Sequence, residues 1–296
     1  MSEWYQIESN SLIVQITSKG AEMKRLFSRE WHRELLWLGD EKSWNRSAPV
    51  LFPVVGKLRD DEYLLKDKIF KMTQHGFARD FEFKCIECGT TEAEFLLVAT
   101  QESFNQYPFL FELKVRYKVE NNKVTISYFV KNDDRQDIFF SIGAHPGFET
   151  KDITNYEIRF EKPEKEYFKV HESLVNWNRP VEINSDHIKI EKSLFSNDAL
   201  IFKKLKSRYV ELVDTKRKEV IRVQANVPFW GIWAKPEVPF ICIEPWFGVA
   251  DSADHDKNLE TKNGIITLAE GEIFGFSHSI EMRVLEEPIV DLKKKK

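Results

Sequence analysis

The stretch FELKVRYKV at residues 111–119 decides the fold. Phe111, Leu113, Val115, Tyr117 and Val119 alternate without a break with Glu112, Lys114, Arg116 and Lys118. That two-residue period belongs to a strand with one dry and one wet face. Asn121-Asn122 supplies a turn, and VTISYFVKN at 124–132 runs back with Val124, Ile126, Tyr128 and Val130 in phase, so 111–132 predicts an antiparallel hairpin. Outward from it, similar short runs recur at 12–17, 93–99, 156–160, 208–213, 219–224 and 278–284. Few windows carry a 3.6-residue apolar stripe, so helices should be short and peripheral. The pattern predicts an all-β fold and disfavours a parallel α/β sheet.

Composition narrows the classes. Of 296 residues, 42% are hydrophobic and 31% charged, which excludes disorder as the main state. Lys and Arg number 44 against 48 Asp and Glu, a net charge of −4, so no domain-sized basic surface exists and nucleic acid is not expected as a partner. The start, MSEWYQIESN, lacks a basic-then-apolar leader, and no run approaches the roughly 18 apolar residues of a membrane span. The expectation is a cytoplasmic protein without a membrane partner, a monomer or homodimer. Cys85, Cys88 and Cys242 are too few and odd in number for a disulfide framework, in keeping with a reducing compartment. No repeat, linker or compositional step divides the chain, so 1–296 reads as a single domain. The tail LKKKK at 292–296 reads as a solvated terminus.

Two segments lack a wet face. IFFSIGA at 138–144 and PFICI at 239–243 are nearly continuous in apolar or small residues, as expected of strands buried on both faces or lining a cleft. Each runs into an ionisable residue followed by proline, His145-Pro146 and Glu244-Pro245, and each proline is expected to stop further pairing. A buried carboxylate costs several kcal/mol unless partnered or functional. An imidazole and a carboxylate together form a general acid/base pair; the plain alternative is two strand-end residues capped by turns. His75 in QHGFARD is followed by Arg79, and Lys57 and Arg59 precede it; surface charge would also explain these cations. Trp230, Trp233, Trp246 and Phe247 bracket Glu244, where aromatic faces suit sugar C–H groups or simple core packing.

Competing chemistry is poorly supported. Cys85-x-x-Cys88 lacks partners for a four-ligand zinc site. Asp251, Asp254, His255 and Asp256 lack the glycine and terminal glutamate of a calcium loop and read as an acidic surface loop. No GxSxG, phosphate-cradling loop or GxGxxG occurs.

In order, VLFPVVGKL (50–58), QHGFARD (74–80), IGAHPGF (142–148), NDALIF (197–202), FWGIWAKP (229–236) and CIEPWFGVAD (242–251) resemble the aldose 1-epimerase (galactose mutarotase) family, most closely its LacX-type branch. The resemblance runs from about residue 10 to about residue 285. It implies a large antiparallel β-sandwich with a sugar cleft and a cofactor-free, metal-free isomerase acting on a hexose or hexose phosphate. By motif order, His145 would act on the ring oxygen and Glu244 on the anomeric hydroxyl. His75 and Asp198 would bind the sugar, the family's arginine falls on Lys57, and Trp246 would form an apolar wall.

Departures at Gly56-Lys57, His75-Gly76-Phe77 and Ala144-His145-Pro146 leave the sugar open. HGFAR is also similar to the hexose-6-phosphate mutarotase branch, in which Arg79 would meet phosphate, with Arg59 and Lys57 as further cations. Two rivals remain. One is a non-catalytic carbohydrate-binding or regulatory protein; the other is a glycosidase using Glu244 and Asp198 as paired carboxylates.

Overall fold

The decisive hairpin forms in the expected register. Phe111–Glu120 pairs with Lys123–Asn132 from Phe111↔Asn132 to Glu120↔Lys123, turning at Asn121 in the left-handed region. Phe111, Leu113, Val115, Tyr117 and Val119 are all buried. The computed structural model describes residues 2–191, 193–196 and 198–285; the LKKKK tail and Asn197 of the NDALIF string lie outside them.

Antiparallel pairing propagates from this hairpin in both directions. One side leads through Glu92–Val98 to Lys84–Cys88. The other runs through Ile273–Val284, Glu219–Ala225, Tyr209–Asp214, Tyr156–His171, Leu200–Lys203, Phe229–Trp233 and Phe240–Phe247 to Ile142–Ala144 and Val50–Leu51. Gly147–Glu149 also pairs Phe240–Phe247, and Leu174–Lys189 pairs Tyr156–His171, making fifteen strands. A four-stranded sheet, Trp4–Glu8, Leu12–Thr17, Met23–Ser28 and Arg33–Glu34, packs over the far end. There Tyr5 meets Phe95 at 5.2 Å, and the Tyr117 hydroxyl donates to the Ala21 carbonyl at 2.7 Å. The result is a large antiparallel β-sandwich whose main apolar cluster runs from Ile7 to Met282. The one α-helix among the described residues, Gln101–Gln106, is short and closed by a Thr100/Ser103 capping box.

Two local readings need correction. The apolar run 138–144 is not one strand: Ile138–Phe140 pairs Ile266–Leu268, whereas Ile142–Ala144 joins the large sheet. Ser141 is the switch point, its N–H donating to the Pro53 carbonyl and its hydroxyl accepting from Val55 N–H. Pro245 does not end its strand, which continues to Phe247 with Trp230↔Pro245 in register. Its missing donor falls beside His145-Pro146, between two stretches of ladder, where few bonds form in any case.

The Cys85 and Cys88 sulfurs lie at bonding distance, a pairing that reading three cysteines as too few for a disulfide framework did not foresee. The bridge spans three residues within one edge strand, a loop too short to restrain the rest of the chain.

Candidate active site

Strand register places the central pair. Phe240–Phe247 pairs Ile142–Ala144 through Gly143↔Trp246 and Gly147–Glu149 through Gly147↔Cys242. Two steps inward from either rung set His145 opposite Glu244. Ile243 N–H donates to the Pro146 carbonyl at 3.3 Å, so the adjacent 145/244 rung is the narrow, non-hydrogen-bonded kind in which opposed side chains lie closest. His145 Nε2 and Glu244 Oε2 are 3.1 Å apart. They touch without a well-aligned hydrogen bond: Glu244 Oε2 and His145 Nδ1 are both buried without a hydrogen-bond partner.

Burial dominates the electrostatics. Glu244, 1% exposed, has its pKa driven well above the carboxylate range by desolvation and by the nearby Asp198 charge. The Trp246 indole pulls the other way, although its N–H is not aligned on any acceptor. His145 is pushed down to about 3 by desolvation, with Arg79 and Arg46 adding cationic repulsion. Burial thus favours the neutral form of both groups, a proton on the carboxyl and an uncharged imidazole, over a carboxylate and imidazolium.

His75 stands with its ring 5.4 Å from that of His145, edge to face. Gly56 N–H donates to its Nδ1 at 3.1 Å, while its own N–H donates to the Gly56 carbonyl at 2.9 Å. Nδ1 is thus an acceptor and the ring proton sits on Nε2. Desolvation and the neighbouring His145, Arg79 and Arg46 hold its pKa well below the usual value, so His75 is a neutral donor.

These side chains line a cavity of about 340 Å³ with Trp44, Gln74, Arg79, Ser173, Asp198, Trp233 and Trp246. Strand alternation along Phe229–Trp233 sends Trp233 to the cleft and Trp230 into the core. Trp246 lies over two glycines, its direct partner Gly143 on one side and, on the other, Gly231, the partner of Glu244: a β-carbon would fall 2.5 Å from its ring at Gly143 and 2.4 Å at Gly231. Phe247 faces away, onto Phe274 and Phe276. Asp198 accepts from Ser173 Oγ at 3.1 Å and from Ala199 N–H at 2.9 Å. Ser173 reaches it from the turn of the long hairpin, where Glu172 and Ser173 both adopt left-handed φ.

The cations separate. Arg79 lines the cleft, donating to the Gln74 carbonyl at 2.5 Å, and its Nε, buried without a hydrogen bond, lies 3.9 Å from Asp80 Oδ2. Burial and the neighbouring Arg46 lower its pKa to about 10, which leaves it charged. Lys57 and Arg59, expected as binding residues, are not among the residues that line the cavity. Arg59 is drawn off by the 251–255 loop, donating from its side chain to the His255 carbonyl at 2.8 Å and from its backbone to Asp251 at 2.9 Å. Lys57 contributes backbone, its carbonyl accepting from Asp251 N–H at 2.9 Å.

Sequence reasoning missed three features. Trp44 stacks on Phe240 at 5.0 Å and tilts over His145 at 5.1 Å; no periodicity marks it, because it sits in a loop tied down by Gly147 N–H to the Ser47 carbonyl and Lys235 Nζ to the Ser43 carbonyl. Cys242 shares the cleft face of Phe240–Phe247 with Glu244 and Trp246, which alternation along CIEPW could have revealed. Asp251 is not part of an acidic surface: it is 2% exposed and bonded to buried Lys262 at 2.6 Å.

Residues 3–281 match the family model for aldose 1-epimerase. The LacX protein (chromosomal) of Lactococcus lactis subsp. lactis is 29% identical over 277 residues, which cover 87% of this chain and 92% of that protein. A galactose mutarotase related enzyme from Lactobacillus acidophilus superposes with a TM-score of 0.92 at 32% identity, covering 96% of this chain and 99% of the other. A galactose mutarotase-like protein from Lactobacillus casei gives 0.89 at 27% identity, covering 95% and 100%. With fold and ordered motifs in agreement across nearly its whole length, the chain belongs to the aldose 1-epimerase family.

Proposed function

We propose that this chain is a mutarotase that interconverts the α- and β-anomers of a free hexose such as galactose or glucose, working as a single domain in the cytoplasm. The observation that carries the reading is the 3.1 Å contact between His145 and Glu244 at the wall of a sugar-sized cleft. Ring opening must remove the O1 proton and protonate the ring oxygen, so two proton-transfer groups have to meet one hemiacetal.

The proton that burial leaves on Glu244 lies within transfer distance of His145 Nε2. Moving it across creates a carboxylate and an imidazolium, which sugar hydroxyls filling the cleft would stabilise in place of water. Glu244 then takes the O1 proton while C1=O1 forms, the bond from C1 to the ring oxygen breaks, and that oxygen takes the proton of His145. Rotation about C1–C2 presents the other carbonyl face, and the same transfers in reverse close the ring. His75 Nε2–H and Arg79 donate to sugar oxygens, Asp198 orients hydroxyls, and Trp44, Trp233 and Trp246 exclude water.

A hexose 6-phosphate is the second reading, favoured by the Arg79 guanidinium in the cleft wall, whose Nε makes no hydrogen bond. Only one of the three candidate cations lines the cleft, which favours the uncharged sugar. Polarimetry on fresh α-glucose, α-galactose and α-glucose 6-phosphate, with Glu244→Gln as control, tests both. Acceleration of free sugars that vanishes in the variant supports the proposal. Acceleration of the phosphate ester alone transfers the assignment to it, and sugar binding without acceleration leaves a carbohydrate-binding protein.

A further inference from the structure

Cys242 is the one buried nucleophile beside the reactive pair that the proposed reaction does not use. It precedes Glu244 by two residues on the same strand face, and the register that opposes His145 to Glu244 opposes Gly147 to Cys242. A β-carbon at 147 would stand 2.7 Å from the Trp44 ring and 3.3 Å from the Cys242 sulfur, so the glycine lets the indole and the thiol approach each other beside the pair. One donor atom from each of His145, Cys242 and Glu244 lies within 4.8 Å of the other two. The residues are 8%, 0% and 1% exposed, and Glu244 Oε2 points at His145 with no hydrogen-bond partner of its own.

We propose that Cys242, His145 and Glu244 form an inhibitory site for a zinc-like divalent cation, which captures the catalytic pair and stops mutarotation. A thiolate, an imidazole and a carboxylate make the mixed sulfur, nitrogen and oxygen set that zinc takes, and one that magnesium and calcium avoid. Three protein ligands beside an open cleft leave the fourth tetrahedral position for water or a sugar oxygen. At zinc's ligand distances the widest donor pair must close by at most about 1 Å, within the reach of side-chain rotation. Binding releases the thiol and carboxyl protons to solvent and occupies the lone pairs through which His145 and Glu244 exchange theirs. The inhibition rests on the mutarotase reading; the binding does not.

The test uses the full chain with Cys85→Ser and Cys88→Ser, so that no other thiol pair competes. Zn2+ should abolish sugar turnover at one bound equivalent, reversibly on chelation. Adding Cys242→Ser should leave the metal-free rate in place and raise the half-inhibiting Zn2+ concentration by about tenfold or more. Co2+ should give a thiolate charge-transfer absorption that this variant lacks, and Cys242→Ala serves if the serine variant does not fold. Equal Zn2+ sensitivity with and without Cys242, or no metal retained in equilibrium dialysis, overturns the proposal. If no sugar is turned over at all, the Co2+ absorption and dialysis still decide the metal site, and only the mutarotase reading falls.

Discussion

Two buried acid–base pairs in this molecule are treated in opposite ways. Lys262 and Asp251 have side chains 1% exposed each, 2.6 Å apart. The lysine also donates to the Val249 carbonyl at 2.7 Å, and the second Asp251 oxygen accepts from Arg59 N–H at 2.9 Å. Asp251 further ties Lys57 and Val175 through its backbone, so one residue fastens the segments that carry Gly56, Ala250 and Ser173 to the cleft. His145 and Glu244 are buried too, yet an oxygen and a nitrogen of the pair go without hydrogen-bond partners, and desolvation drives both toward neutrality. A satisfied buried pair holds a fold together. An unsatisfied one keeps polar atoms ready for a substrate, and such atoms collect at functional sites.

The largest effect that would break this contrast is catalytic. Glu244→Gln should lower turnover by about 10²–10⁴-fold, the usual worth of a positioned acid or base, with circular dichroism unchanged. A folded variant turning over at the parent rate would remove Glu244 from the mechanism. Next comes a stability effect on the other pair: Lys262→Met strands the Asp251 carboxylate and should cost about 3–5 kcal/mol in a urea titration. A loss well under 1 kcal/mol would mean that the ion pair is not what fastens the cleft segments.

A smaller difference reads the charge states directly. The Glu244 pKa is raised in the folded chain, so the folded state binds the extra proton. Its contribution is complete below the unfolded carboxylate value of about 4.3 and is lost as pH rises toward the raised value. Glu244→Gln lacks this term, so its melting temperature relative to the parent should climb as pH increases from about 4.5 to 7. His145 has the opposite sign: lowered to about 3, it contributes fully above the unfolded histidine value and loses that contribution as pH falls toward 3. His145→Gln should therefore gain on the parent between about pH 6.5 and 3. Differences that stay flat with pH in both variants would mean that the pair is not held neutral. For turnover, the acid limb should belong to the pair gaining a second proton and the alkaline limb to its losing the only one.

Much of this was legible in the sequence, and the limits are physical. Alternation along 111–132 predicts the hairpin because one face is wet, and a one-residue slip would bury Lys114 and Arg116. His145 and Glu244 stood out because each interrupts an apolar run. Their direct opposition could not be read, since register depends on rungs formed far along the chain. Pro245 misled because proline normally closes a ladder; here it falls where the partner strand carries a proline of its own. Lys57 and Arg59 could not be told from Arg79 by composition. All three follow a single left-handed glycine, Gly56 or Gly76, by one to three residues, and such a turn decides which side chain faces the cleft.

That last distinction gives the smallest expected effect. Arg59→Gln removes a guanidinium that serves a surface carbonyl, and its anchoring backbone N–H to Asp251 survives the change. Surface substitutions of this kind stay within about 0.5 kcal/mol, so KM and kcat for galactose or glucose should move by less than about threefold. Arg79→Gln deletes a charged donor from the cleft wall and should raise KM by about tenfold, the loss of a charge-assisted hydrogen bond of about 1.5 kcal/mol. Removing that charge also relieves the repulsion that holds both histidines down, so the acid limb of the pH profile should shift upward in Arg79→Gln and stay in place in Arg59→Gln. Equal KM values for the two variants, with equal acid limbs, would mean that Arg79 faces the cleft without serving it.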